Sequence, residues 1–464
     1  MYKKNSIWFS KALIFLVWAG CSMSADAQPD TLKYRVTLKD KLLTEYSLNH
    51  PEAFLSEKAL ARRRKQHLAV DSTDLPVCGA YIRAIEQLGA TVLHTGKWEN
   101  FVTVSARDTL LASRMAALPF VRSVVKVWQT PKAEAWNMER DSILDFWTTD
   151  EKEPYGTGAA QIRMSNGDKL HTAGFRGENI SIAVIDAGFQ NVDRMKLMSN
   201  LHILGTRDFV GKDDEIYVAS THGTNVLSCM AMNRPSVMVG TAPEASYWLI
   251  RTEDEVSEYP VEEDNWAAAV EFADSVGVDI INTSLGYYNF DDKSMNYRLC
   301  DLDGKVSLMS RQASRLADKG ILLVCSAGNS GMGVWKKITP PADAENVLAV
   351  GAVDKQGLLA PFSSVGNTAD GRVKPDVMAV GVMADVIHTN GTQTKANGTS
   401  FASPILCGLV ACLWQACPTL TAKELIQLVR QSGNRADCWD NIYGYGVPDV
   451  WKAYQHYLAK QVQK

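Results

Sequence analysis

The sequence predicts an α/β protein: a large three-layer domain with a mostly parallel sheet, preceded by a small α+β domain. From about Tyr155 onward, continuous apolar runs of strand length alternate with helical stretches, the pattern of parallel strands joined by helical crossovers and covered on both faces. From Thr31 to about Gln129 the order is β-α-β-β-α-β, a ferredoxin-like split βαβ. The length agrees, since 464 residues exceed what one compact domain ordinarily takes.

In the small domain, Leu32 to Leu38 alternates as a strand and Ala80 to Leu88 has helical spacing that stops at Gly89. Thr91 to His94 and Phe101 to Ser105 read as strands. Asp108 opens a helix running to Met115, and Val121 to Val127 is the last strand. Residues from about Asp40 to Leu75 form an insertion after the first strand. Within it, Arg62-Arg63-Arg64-Lys65 is the densest basic run, read as a solvated helix face. From Pro131 to Pro154 the chain is charged and without periodicity, a linker.

In the large domain the strand candidates are Ile180 to Ile185, Ser246 to Ile250, Val278 to Asn282, Ile321 to Cys325 and Val347 to Val353. Helices fall at Asn225 to Met232, Trp266 to Ser275, Ser310 to Asp318 and Ala402 to Gln415. Such sheets place their sites at the carboxyl ends of strands.

Apolar content of 46%, charged content of 22% and a net charge of -4 describe an ordinary globular protein, with no footprint of a nucleic-acid partner. Lys3 and Lys4 precede an apolar run from Ala12 to Ala19, with Ala25-Asp26-Ala27 following. This is the anatomy of a secretory signal cleaved after Ala27, and the run is too short to span a bilayer. No transmembrane segment is expected after its removal. Ala19-Gly20-Cys21 loosely resembles a lipoprotein cleavage box, but Trp18 stands where such boxes usually carry Leu, so lipidation of Cys21 is the second choice.

Export permits disulfides. Among nine cysteines, Cys417 and Cys438 are the one candidate pair, while Cys229, Cys325, Cys407 and Cys412 read as buried small hydrophobes. No cysteine or histidine spacing suggests zinc.

Three short stretches carry the chemistry: Ile182 to Gly188, an apolar strand ending in Asp186; Thr221-His222-Gly223-Thr224; and Gly398-Thr399-Ser400-Phe401-Ala402-Ser403-Pro404. A serine hydroxyl needs a base to take its proton, and that base needs an acceptor on its other ring nitrogen. Singly, each residue is more often a cap or a structural group. Together, in the chain order Asp, His, Ser, they resemble the subtilisin family of serine endopeptidases and not the chymotrypsin or α/β-hydrolase orders. Asn329, in Ser326-Ala327-Gly328-Asn329, resembles the family's oxyanion donor.

The resemblance runs from about Tyr155 to Tyr457. It implies that Ser400 is the nucleophile, His222 the general base and Asp186 its orienting carboxylate, with Gly223 leaving room for substrate beside the imidazole. It also implies that Ser284-Leu285-Gly286 and Ser326-Ala327-Gly328 form the walls of the peptide-binding cleft. Small residues there suit a large apolar P1 side chain. The domain order becomes a signal peptide at 1–27, an inhibitory prodomain at 28–131, a linker with the maturation site at 132–154 and a subtilisin-like catalytic domain at 155–464. The expected product is an exported zymogen, periplasmic or extracellular, acting on peptides and held by its own prodomain. One departure stands inside the first motif: the family usually has Ser or Thr after the catalytic Asp, and here it is Ala187. Altered pH dependence is expected of it before loss of activity.

No cofactor is needed for this chemistry. Calcium is common in the family, but Asp301-Leu302-Asp303-Gly304 lacks the downstream ligands of a calcium loop and reads as a turn, so no metal ligand is assigned. The acidic run from Glu253 to Asp264 occupies the segment that lines S2 and S4 in subtilisins. A solvated loop is the preferred reading, and selection of basic residues at P2 or P4 is the sharper one. A non-catalytic peptide-binding relative is the competing class, disfavoured by the intact set of four. Nucleotide binding lacks both Gly-x-Gly-x-x-Gly after the first strand and a P-loop.

Overall fold

The computed structural model describes residues 31–131, 139–211 and 216–462. The expected signal peptide, Cys21 and residues 132–138 of the linker lie outside them.

The small domain contains β1 (Leu32–Leu38), α1 (Glu57–Lys65), α2 (Gly79–Gln87), β2 (Thr91–Gly96), β3 (Phe101–Ala106), α3 (Leu110–Ala116) and β4 (Val121–Gln129). Its strands form an antiparallel sheet in the order β2-β3-β1-β4. That is the split βαβ arrangement expected from the element order. Ser56 caps α1, accepting from the N–H of Ala59 at 3.2 Å.

The large domain opens with two short helices, α4 (Ala159–Arg163) and α5 (Gly167–Thr172), then β5 (Ser181–Asp186), β6 (His202–Asp208) and α6 (His222–Ala231). A small ribbon of β7 (Asn233–Arg234) and β8 (Met238–Val239) leads to β9 (Ser246–Arg251), α7 (Val261–Val276), β10 (Ile280–Thr283), α8 (Leu308–Leu316), β11 (Leu322–Ser326) and β12 (Leu348–Val353). Then come β13 (Val377–Val380), the hairpin β14 (Ala384–Ile387) and β15 (Gln393–Ala396), and α9 (Thr399–Ala416), α10 (Ala422–Ser432) and α11 (Val450–Val462).

Seven strands make the main sheet, in the order β13-β12-β11-β10-β5-β9-β6 and parallel throughout. Side chains alternate between its faces. Ile182 and Val184 join the core that holds α6 and α9, while Ala183 and Ile185 join the core under α7 and α8. These are the three expected layers. α9 is long and apolar enough to cross a membrane by length and composition, but nearly all of it is buried inside this domain.

Two main-sheet strands escaped the sequence reading, β6 and β13, and both are edges. β6 shows no clean apolar alternation, and β13 follows Pro375, a residue that argues against strand except at an edge.

The small domain docks onto α7 and α8. Phe101 packs against Ala267 and Leu308, and Val127 against Tyr259 and Val261. Here the solvated reading of the basic run holds for Arg64 and Lys65, which are exposed, and fails for the other two. Arg62 and Arg63 are 5% and 1% exposed and both bind Asp274 of α7, at 2.5 and 2.8 Å. Arg62 also donates to the carbonyl of Val278 at 2.6 Å, and Arg63 to Asp74 at 3.2 Å. Lys97 adds a third cation, 3.1 Å from Asp274. Burial would raise the Asp274 carboxyl, but these three cations hold it well below the usual carboxylate range. A polar helix face reads as solvated until another domain supplies the countercharge.

Residues 139–150 form neither helix nor strand but lie fastened to the large domain. Asn191 donates to the carbonyl of Asp141 at 2.8 Å, and Leu144 donates its N–H to Asn390 at 2.8 Å. The expected Cys417–Cys438 disulfide is absent: both thiols are free, Cys417 buried at the end of α9 and Cys438 exposed. Asp301 accepts from the N–H of Arg298 and Asp303 from those of Lys305 and Val306, which is turn chemistry.

Candidate active site

β11, β10 and β5 are neighbours in the sheet, so their carboxyl ends deliver Ser326 to Asn329, Ser284 to Gly286 and Asp186 to one edge. His222 opens α6 and Ser400 lies in the first turn of α9. All of these except the buried Asp186 and Ala327 line a cleft of about 410 Å³, shared by Ala187, Glu253, Glu255, Tyr288, Ser330 and Thr339.

Asp186 is 0% exposed. Its Oδ1 accepts from Nδ1 of His222 at 2.7 Å and from the N–H of Ala187 at 2.8 Å. Its Oδ2 is buried without a hydrogen-bond partner, and the methyl side chain of Ala187 offers it none. Burial alone would lower the His222 pKa. The charge and hydrogen bond of Asp186, with the carboxylates of Glu253 and Glu255, overcome this and raise it to about 9. Burial, reinforced by the charge of Asp186, pushes Glu253 up to about 8.

Ser400 is nearly buried, and its Oγ donates to the carbonyl of Ser284 at 3.4 Å, a long contact. Among the described residues no hydrogen bond joins it to His222. The backbone around Ser400 is held firmly: Ser284 Oγ donates to its carbonyl at 2.9 Å, and Ser403 Oγ donates to Asn282 at 2.8 Å.

Asn329 shows its orientation through its partners. Oδ1 accepts from the N–H and hydroxyl of Thr399 at 2.9 and 3.0 Å, so the donor end of the amide is left for the cleft. Thr399 Oγ1 in turn accepts from the N–H of Gly328 at 3.2 Å. Thr399 was missed by the sequence reading, although it stands beside the serine in the motif.

Of the expected cleft walls, Ser284, Leu285, Gly286, Ser326 and Gly328 line the cavity. Ala327 does not. It is fully buried, and its side chain belongs to the core beneath α7, because alternate residues of the extended segment leaving β11 point inward. Gly328 has a φ of +105° and sits against Thr339, a backbone state that glycine adopts without strain.

Gly223 serves a purpose other than room for substrate. A Cβ there would lie 2.2 Å from the carbonyl oxygen of Gly188 and 3.0 Å from Cβ of Asp186. Its bareness lets α6 pack on the end of β5, which sets the His222–Asp186 distance.

The acidic run divides: residues 253–258 form a partly exposed loop, as expected, but its second half does not. Glu262, Glu263 and Asp264 are buried in the first turn of α7, where negative charge suits the helix N-terminus. Arg35 of β1 pairs with Asp264, and Tyr297 and Ser307 donate to Glu263. Glu253 and Glu255 face the cleft.

Comparison with known proteins agrees with this geometry. The model of the subtilase family matches residues 177–446, and that of the peptidase S8 propeptide domain of Bacteroidota matches residues 33–141. Subtilisin DY of Bacillus licheniformis is 30% identical over 305 residues, covering 65% of this chain and 98% of that protein. Subtilisin E of Bacillus subtilis (strain 168) is 30% identical over 62% of this chain and 67% of its own length. The thermostable alkaline protease of Halalkalibacterium halodurans is 26% identical over 66% of this chain and 75% of its own. Family, fold and propeptide together establish that the chain belongs to the subtilase family and is a subtilisin-type serine endopeptidase made as a zymogen.

Proposed function

We propose that Ser400, His222, Asp186 and Asn329 carry out the hydrolysis. A peptide carbonyl lies between Ser400 and the amide of Asn329. Ser400 Oγ turns from Ser284 toward His222 and attacks the carbonyl carbon while the imidazole takes its proton. The oxyanion that forms accepts hydrogen bonds from Nδ2 of Asn329 and the N–H of Ser400. His222 then gives its proton to the leaving amine, the amide bond breaks, and water repeats the sequence on the acyl-enzyme. Asp186 holds the imidazole in one tautomer and stabilises the imidazolium.

The backbone of Ser284-Leu285-Gly286 and of Ser326-Ala327-Gly328 pairs with the substrate main chain, which lets many sequences bind. The small side chains of these walls suit a large apolar P1 residue. Side chains and backbone donors carry every step. The chain is exported after cleavage following Ala27, the domain at 28–131 inhibits the domain at 155–464, and maturation cuts the linker between them.

The single observation that carries this reading is the convergence of the Asp186–His222 hydrogen bond of 2.7 Å and the Thr399-anchored Asn329 on one cleft with Ser400. The test is expression from Gln28, following chain size and fluorophosphonate labelling beside Ser400→Ala. The wild-type chain labels and sheds its amino-terminal domain, and the variant does neither. A folded wild-type chain that neither labels nor matures would overturn the proposal.

A further inference from the structure

Residues 139–150 stand between the two domains in sequence, yet among the described residues no hydrogen bond or ion pair joins them to the small domain. Their partners lie on the large one. Arg140 donates to both carboxylate oxygens of Asp193, at 3.1 and 3.0 Å. Thr148 gives its N–H and its hydroxyl to Gln393, both at 2.9 Å, and Asp150 gives its N–H to the carbonyl of Ser236 at 2.7 Å. Trp147 packs on the core that holds α6 and α9. The propeptide match ends at residue 141, so most of the segment lies beyond it.

Two buried amides of the large domain are completed by this segment. Gln190 and Asn191, just after Gly188, are 6% and 0% exposed. Asn191 Nδ2 donates to the carbonyls of Asp141 and Thr389, at 2.8 and 3.0 Å, and the hydroxyl of Thr389 donates to the Asp141 carboxylate. Gln190 Oε1 accepts from the N–H of Asp141 at 3.1 Å, and its Nε2 donates to the carbonyl of Glu139 at 3.3 Å. Buried polar atoms are costly to leave unpaired, so taking the segment away would strip partners from groups that water does not reach.

Gln190 also reaches toward the catalytic histidine. Its Nε2 donates to the carbonyl of Val218 at 3.3 Å, its N–H to the carbonyl of Ser220 at 3.1 Å, and its carbonyl accepts from the hydroxyl of Thr224 at 2.8 Å. Ser220 Oγ accepts from the N–H of His222 at 3.1 Å. One side chain and its backbone thus join residues 139–141, the loop that delivers His222 and the first turn of α6. Gln190 touches no reacting atom and acts through the backbone around His222.

We propose that residues 139–150 are a strap of the catalytic domain, kept when the small domain is shed, and that Gln190 is the positioning residue through which the strap fixes His222 against Asp186. The mature enzyme therefore still carries Arg140.

The first measurement is the intact mass and amino-terminal sequence of the matured wild-type chain. A mature protein that contains Arg140 to Asp150 is expected, and one that begins after Leu144 with full activity overturns the proposal. Because shedding rests on the zymogen reading, amide exchange is also followed in the uncut Ser400→Ala chain. There the N–H groups of Asp141, Leu144, Asp145 and Asp150 should exchange far more slowly than those of an open chain, and open-chain rates overturn the strap whether or not the protein cleaves anything. Positioning is tested with Gln190→Met, which keeps the side chain's length but none of its hydrogen bonds. It should lower kcat roughly tenfold with KM nearly unchanged and move the pH limb set by His222 to lower pH. A lowered unfolding temperature with wild-type kcat and pH profile overturns the positioning role. If that variant does not fold, Arg140→Ala with Asp141→Ala, at an exposed and a half-buried position, loosens the strap without touching Gln190 and should lower kcat in the same direction.

Discussion

Thr399 donates both its backbone N–H and its hydroxyl to Oδ1 of Asn329, at 2.9 and 3.0 Å. The residue before the proposed nucleophile therefore aims the proposed oxyanion donor, tying two loops that are 70 residues apart. Thr399→Val keeps the N–H and the shape but loses the hydroxyl, and should lower kcat about tenfold with KM nearly unchanged. Asn329→Leu should lower kcat roughly a hundred- to thousandfold, a magnitude that comes from a subtilisin's own Asn. Steady-state kinetics on a chromogenic peptide decide it. A Thr399→Val enzyme with wild-type kcat would mean that the N–H alone suffices.

The unpartnered Oδ2 of Asp186 predicts a gain from a hydroxyl at the next position. Ala187→Ser should stabilise the protein by about 1 kcal/mol, the usual worth of one hydrogen bond. Thermal unfolding measures it, and an unchanged midpoint would show that a new hydroxyl does not reach the carboxylate.

Gly223→Ala separates packing from substrate room. A Cβ 2.2 Å from a backbone carbonyl cannot be accommodated without moving α6, so a loss of about 2 kcal/mol or more is expected, with the His222–Asp186 pair displaced. A variant with wild-type unfolding and only a raised KM would restore the substrate-room explanation.

Asp274→Ala leaves Arg62, Arg63 and Lys97 buried without their shared partner. Removing one member of a buried ionic network costs about 3–5 kcal/mol. In the Ser400→Ala chain this should appear as a lower midpoint for release or unfolding of the small domain. A shift no larger than that of an exposed ion pair would mean the cluster is solvated in solution.

The pH dependence follows from His222, which in the proposed mechanism must be neutral to accept the serine proton. Its pKa in the intact chain is raised to about 9, so the rate of fluorophosphonate labelling should climb with pH and level off above about 9. Glu255→Gln removes one of the negative charges that raise it and should move the rising limb to lower pH. The stabilisation from the Asp186–His222 pair runs the other way: it is complete below about 6.5 and is lost as pH rises through about 9. A labelling profile already flat at pH 7 would contradict the raised value.

Much of the fold was legible because the inner strands are continuous apolar runs, and a strand buried on both faces can be little else. The edges were not, since β6 and β13 each have only one sheet neighbour and need fewer apolar residues. Asp186, His222, Asn329 and Ser400 could be picked out as candidates because each sits in a short segment with small neighbours, and the fold brings those segments to one place. Thr399 was written in the same motif but carries no separate signal. Arg62 and Arg63 were misread because their partner Asp274 lies more than 200 residues away. Cys417 and Cys438 paired on paper only by proximity in sequence.

By itself the sequence determined the layers of the large domain, the split βαβ of the small one and the reactive groups available, because periodicity and strand-end motifs are local properties of the chain. Only the tertiary structure decided which charges are buried, which glycine is there for packing, which way Asn329 points and which domain holds residues 139–150. Those outcomes depend on what another element brings within a few ångströms, and burial turns a solvated charge into one that must be paired or protonated.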